Sequence, residues 1–84
     1  MTDLSIDYDR AEHRVIFRSR PESSFTAWYR QLRRSLQDQT ADVREPESGT
    51  LTAPWWSFIT IREGIGALFR SAGLTYATSD DALS

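Results

Sequence analysis

Apolar and polar residues alternate with period two from Leu4 to Tyr8 and again from Arg14 to Arg20, and a polar stretch, Asp9 to His13, separates the two runs. Successive side chains of a strand point to opposite faces. The pattern therefore predicts an N-terminal hairpin, with Val15 and Phe17 on one face of its second strand and Arg14, Ile16, Arg18 and Arg20 on the other. Pro21-Glu22-Ser23-Ser24 breaks the alternation. The period then becomes helical, because Phe25, Trp28, Tyr29, Leu32 and Leu36 fall at i, i+3, i+4, i+7 and i+11. Ser23 or Ser24 is the natural N-cap, and the helix is expected to end near Asp38 or Gln39.

Residues 40–54 carry no sustained period, and Pro46-Glu47-Ser48-Gly49 reads as a turn with short extended pieces on either side. Trp55 to Ile59 has the aromatic and β-branched content of a strand. Thr60-Ile61-Arg62-Glu63 fits a capping box, after which Ile61, Ile65, Leu68, Phe69 and Ala72 follow helical spacing. Gly73 sits where a left-handed C-terminal cap belongs, with Leu74 placed to pack back on the helix. A strand from Leu74 to Thr78 and a disordered polar tail at 79–84 complete the chain. The expected fold is a single α+β domain over residues 1–84, with a sheet of about four strands and two helices packed on one face, in the order β-β-α-β-α-β.

Composition narrows the chemistry. Eighty-four residues bury one modest core, and the absence of cysteine removes disulfides and thiolate metal sites. The one histidine, His13, falls in the predicted hairpin turn, so no general base for triad chemistry is evident and no enzyme, cofactor or metal is expected. No apolar run approaches the roughly 20 residues that span a bilayer, and the acidic N-terminus lacks the order of a signal peptide. A cytoplasmic protein with no membrane partner is the expectation. Gly64-Ile65-Gly66 lies inside a predicted helix, after its cap, where glycines signal close backbone packing instead of a phosphate cradle.

All the cations are arginine, ten against twelve acids, for a net charge of -2. The lack of Lys and Asn, whose codons both begin AA, fits a GC-rich genome; selection for the planar, bidentate guanidinium is the other explanation. On the first helix Arg30, Arg33 and Arg34 project together from the face opposite the apolar stripe, where they can grip phosphates or an acidic partner. Arg14, Arg18 and Arg20 on the second strand form a further strip, partly consumed by pairing with Ser5 and Asp7 on the neighbouring strand. If Trp55 to Ile59 is a strand, Trp56 joins Phe58 beneath the helices. Trp55 then lies with Ile59 on the other face, where an aromatic beside arginines can stack a base or anchor a protein.

The strand His13-Arg14-Val15-Ile16-Phe17, the capped helix opening Glu22-Ser23-Ser24-Phe25, the Trp-containing strand and the helix closing with Gly73 before Leu74-Thr75-Tyr76 together resemble the small accessory domain that precedes the motor in phage UvsW-type helicases. They are more distantly similar to the HARP module of annealing helicases. The resemblance covers roughly residues 13–78 and implies a compact α+β unit, without catalysis of its own, that helps a motor engage branched or duplex DNA. This chain differs from the pattern in carrying no motor and in being mildly acidic. Two readings follow. The first is a non-catalytic nucleic-acid-binding accessory module that uses Arg30, Arg33 and Arg34 with support from Arg18 and Arg20, contacting the phosphate backbone with little sequence preference. The alternative is a small protein-interaction module, an adaptor, inhibitor or homodimer, anchored by Trp55 and Ile59.

Overall fold

The computed structural model describes residues 3–78, so the tail expected at 79–84 lies outside the described residues. The predicted hairpin is present as β1 (Leu4–Asp9) and β2 (Arg14–Ser19), with Ile6 opposite Phe17 and Tyr8 opposite Val15. Its turn is tied by the Asp9 carboxylate, which accepts from the backbone N–H groups of Ala11 and Glu12. Helix α1 (Ala27–Gln39) follows a short 3-10 turn at Pro21–Phe25. A second hairpin, β3 (Arg44–Glu47) and β4 (Thr50–Pro54), gives shape to the region that carried no period. Helix α2 (Trp55–Ser71) and β5 (Tyr76–Thr78) complete a mixed sheet of order β3-β4-β2-β1-β5, in which β5 alone pairs in parallel, with β1.

Alternation decides which face of the sheet is covered. Leu4, Ile6, Val15, Phe17, Leu51 and Ala53 all point inward and are buried with Tyr29, Leu32 and Leu36 of α1 and Phe58, Ile65 and Phe69 of α2 in one cluster. Both helices therefore lie on the same face, as expected. They run in opposite directions, since Trp28 near the start of α1 meets Phe69 near the end of α2 edge to face at 6.0 Å. The end of α2 closes as read from the sequence: Gly73 takes φ +72°, its N–H bonds Arg70 O, the Leu74 N–H bonds Phe69 O, and Leu74 packs on the core.

Three expectations are corrected. Trp55 to Ile59 is not a strand but the opening of α2, because the strand that pairs with β2 is β4, one element earlier. The β2–β4 ladder ends with Pro54 opposite Arg14, and once Trp55 N–H has bonded His13 O the chain turns into helix from the N-cap Pro54. The capping box is consequently unused: Thr60 lies inside the helix and its hydroxyl donates to Trp56 O. At α1 the cap is Thr26, whose hydroxyl accepts from Tyr29 N–H, while Ser23 and Ser24 belong to the preceding turn. Phe25 is thereby left outside the apolar stripe, 78 % exposed. Finally, the sheet has five strands, the extra one being β3.

One polar group crosses from the core to the edge hairpin. The hydroxyl of buried Tyr29 donates to Glu45 Oε2 at 2.9 Å, and burial, reinforced by that carboxylate, pushes its pKa above the ordinary phenol value. This bond pins β3 to α1. Tyr29→Phe is expected to lose about 1.5 kcal/mol, the worth of a hydrogen bond to a charged group, which urea titration followed by circular dichroism measures directly.

Candidate interaction surface

The five arginines of the nucleic-acid reading do not share a face. Arg18 stands on the uncovered side of the sheet and donates to Asp7 Oδ2 at 2.7 Å, so the expected cross-strand pairing consumes it. Arg33 leans toward β3, 3.5 Å from the same Glu45 oxygen that Tyr29 bonds. Arg20 lines a hollow at the start of α1 with Asp3, Glu22, Ser23, Thr26 and Leu74. Only Arg30 and Arg34 point straight out from α1 with no ion pair among the described residues, and Asp38 lines the same shallow hollow. Helix α1 covers one face of the sheet, and Arg18 projects from the other.

The third arginine of the strand strip is the most buried of the set. Arg14 is 8 % exposed, and its guanidinium donates to Asp42 Oδ2 at 2.7 Å, to Asp42 O at 3.1 Å and to Thr52 Oγ1 at 3.1 Å. The hydrogen bond from Arg14, opposed by desolvation and aided by Arg44, holds the Asp42 carboxyl below its ordinary value. This cluster ties the α1–β3 connection to the sheet. It is structural: the Arg14 donors are taken up by Asp42 and Thr52 of the same chain, and the charge of Arg14 is matched on the spot.

The tryptophans exchange the places expected of them. Trp55 is half-buried, with its ring 4.7 Å from Tyr8 and 5.1 Å from Phe58, and it packs against the core instead of lying on the outer sheet face. Trp56, expected beneath the helices, is 55 % exposed. The cause is the change of element. A helix turns about 100° per residue, so Trp56 points roughly opposite to Phe58 once both are helical. Ile59 is exposed as expected, at 44 %, and lies one turn beyond Trp56 on α2. The missed signal was in the spacing: Trp55, Phe58, Ile61 and Ile65 already follow a helical period that reaches back to Pro54.

The outward face of α2 continues from Trp56 and Ile59 through Glu63 and Ala67 to Arg70, all exposed. Arg70 makes no ion pair among the described residues. Between the helices runs an open groove of about 320 Å³ lined by Gln31 and Ser35 of α1 and by Thr60, Ile61, Gly64, Ile65 and Leu68 of α2. His13 sits in the β1–β2 turn at φ 54°, its Nδ1 2.8 Å from the Tyr8 hydroxyl. Among the described residues no cluster of His, Asp and Glu is placed to hold a metal ion, and no helix is long and apolar enough to cross a membrane. Comparison with protein families, curated proteins and solved structures finds no match to this chain.

Proposed function

We propose that the chain is a non-catalytic protein-interaction module whose contact surface is the outward face of α2. The observation that carries this reading is the pair Trp56 and Ile59, 55 % and 44 % exposed one turn apart on a helix whose other large apolar side chains are buried or half-buried. Removing the open half of a tryptophan from water is worth about 2–3 kcal/mol at about 25 cal/mol per Å², and tryptophan is among the residues enriched at the energetic centres of protein interfaces. Glu63, Thr60 and Arg70 supply that rim.

The nucleic-acid reading keeps Arg30 and Arg34, the outward guanidinium groups of α1 that have no ion pair among the described residues. Two phosphate contacts give a salt dependence of only about -1.8 in log–log slope, where modules that live on the phosphate backbone make roughly 6–10 contacts. With a chain charge of -2 around them, two arginines are too few. Helicase association rests on the sequence resemblance alone, and the strand Trp55 to Ile59 that forms part of it is the first turn of α2.

The test sets both readings against each other. A photoreactive amino acid placed at position 56 is expected to crosslink a protein, whereas the same group at position 18, on the open sheet face, is expected to crosslink none. In parallel, labelled duplex, forked and single-stranded DNA are expected not to bind micromolar protein at low salt. DNA binding that Arg30→Glu and Arg34→Glu abolish would overturn the proposal in favour of nucleic acid.

A further inference from the structure

We infer that the partner of this surface is an acidic amphipathic helix seated in the groove between α1 and α2, with its apolar stripe on the groove floor and its carboxylates on Arg30 and Arg34. The inference rests on the interaction reading above and names the partner's chemistry. Trp56, Thr60, Gly64 and Leu68 follow one another at four-residue intervals, so they form a single row along α2. The last three line the groove, and Trp56 heads the row one turn before it begins. The exposed indole and the groove are thus parts of one surface.

The chain does not fill this groove itself. A Cβ on Gly64 would meet nothing within 4 Å, and below that notch Ile61 and Leu68 are only half-buried, which leaves aliphatic surface open to water. Gln31 and Ser35 of α1 form the opposite wall. The same two residues also line the hollow that holds Arg30 and Arg34, so the apolar floor passes directly into a cationic margin. Neither guanidinium makes an ion pair among the described residues, although Asp38 lines the hollow with them. Two cations against one carboxylate give this margin a positive excess on a chain whose net charge is -2. The α2 margin, Thr60 and Gly64, is uncharged. Complementarity therefore calls for a partner that is negative along one flank and apolar beside it.

A helix fits these walls better than an extended chain. Both walls are helices, whose backbone N–H and C=O groups are spent on their own turns, so an extended peptide finds no ladder to join. A partner helix brings its backbone bonds already made and lays one apolar stripe into the groove. Arg30 and Arg34 stand about 6 Å apart along α1, the rise that also separates acids at i and i+4 of a helix running alongside. Each guanidinium can then take a carboxylate with two parallel N–H donors. Nucleic acid fits less well, because two arginines reach few phosphates and a floor of isoleucine and leucine offers no ring on which a base can stack.

The probe is a phage-displayed library of helical peptides about five turns long, randomised on one face and selected on the whole chain. Recovered peptides are expected to share Asp or Glu pairs spaced four apart beside a stripe of large apolar residues. By fluorescence anisotropy, synthetic copies are expected to bind the Arg30→Glu, Arg34→Glu double variant about tenfold or more weakly than the wild type. Lysine in place of the peptide's acids is expected to reverse that preference. Gly64→Leu, which fills the notch, is expected to weaken the acidic peptides about tenfold with the urea midpoint no lower than that of the wild type. An empty selection, peptides without an acidic bias, or peptides indifferent to these variants overturn the inference, as does duplex DNA that binds through Arg30 and Arg34 where no peptide does. A negative selection beside a protein crosslinked through position 56 sinks this inference and leaves the interaction reading standing; no peptide and no crosslink sink both.

Discussion

Replacing Phe69 by alanine is expected to cost about 4 kcal/mol, the largest loss from any single truncation of this core. The side chain is fully buried, with Trp28 edge-on at 6.0 Å and Tyr76 at 5.2 Å. It touches every layer of the structure: α1 through Trp28, the parallel edge strand through Tyr76, and the helix end through Leu74, whose N–H bonds the Phe69 carbonyl. β5 has only three residues and pairs with β1 alone, and the Phe69–Tyr76 ring contact ties it to the helical layer. A chain of this length has about 4–13 kcal/mol of total stability, so the variant retains about 0–9 kcal/mol. Thermal unfolding followed by circular dichroism is expected to show the midpoint lowered by more than about 15 °C. Phe25→Ala, removing the same ring where it is 78 % exposed, is expected to stay within about 0.5 kcal/mol of wild type. Equal losses at the two positions would contradict the placement of α1.

That contrast also marks where the sequence could be read and where it could not. Both phenylalanines stand at helical spacing, and the spacing cannot say that Thr26, and not Ser23 or Ser24, supplies the cap that starts the helix. The N-terminal hairpin was legible because its alternation is strict and its turn is polar, and the closing turn of α2 was legible because Gly73 is needed for a positive φ. Trp55 to Ile59 misled because composition favours a strand while spacing favours a helix. What decided it was long-range: the β2 ladder is already filled by Thr50–Pro54, a pairing between segments more than thirty residues apart in sequence. The candidate site shifted for the same reason. Moving those five residues from strand to helix brings Trp56 out and Trp55 in. The arginines were legible as a cluster on α1, but not their partners. Glu45 reaches Arg33 only because β3 forms, and Asp42 reaches Arg14 only because the α1–β3 connection crosses the sheet edge.

Gly49→Ala is expected to destabilise the protein by about 3 kcal/mol, whereas Gly64→Ala is expected to stabilise it by about 1 kcal/mol. Gly49 has φ +88°, and a Cβ there would stand 2.4 Å from the carbonyl oxygen of Arg20 and 3.0 Å from that of Ser19. Those are backbone atoms held from both sides. Arg20 O accepts from Ser23 N–H at the start of the 3-10 turn, and the Gly49 carbonyl accepts from both the N–H and the hydroxyl of Ser19. The clash can be relieved only by opening the junction between β2 and the β3–β4 hairpin, which also carries Glu45 to Tyr29. Gly64 is the opposite case. It lies inside α2 with an ordinary helical φ, and a Cβ there meets nothing within 4 Å, so alanine gains the full helix-propensity difference with no steric penalty. The position lies in the groove beside α1, away from Trp56 and Ile59. Urea titration of the two variants side by side measures two changes of opposite sign from the same chemical substitution, and a gain at Gly49 or a loss at Gly64 would contradict the local geometry described for each.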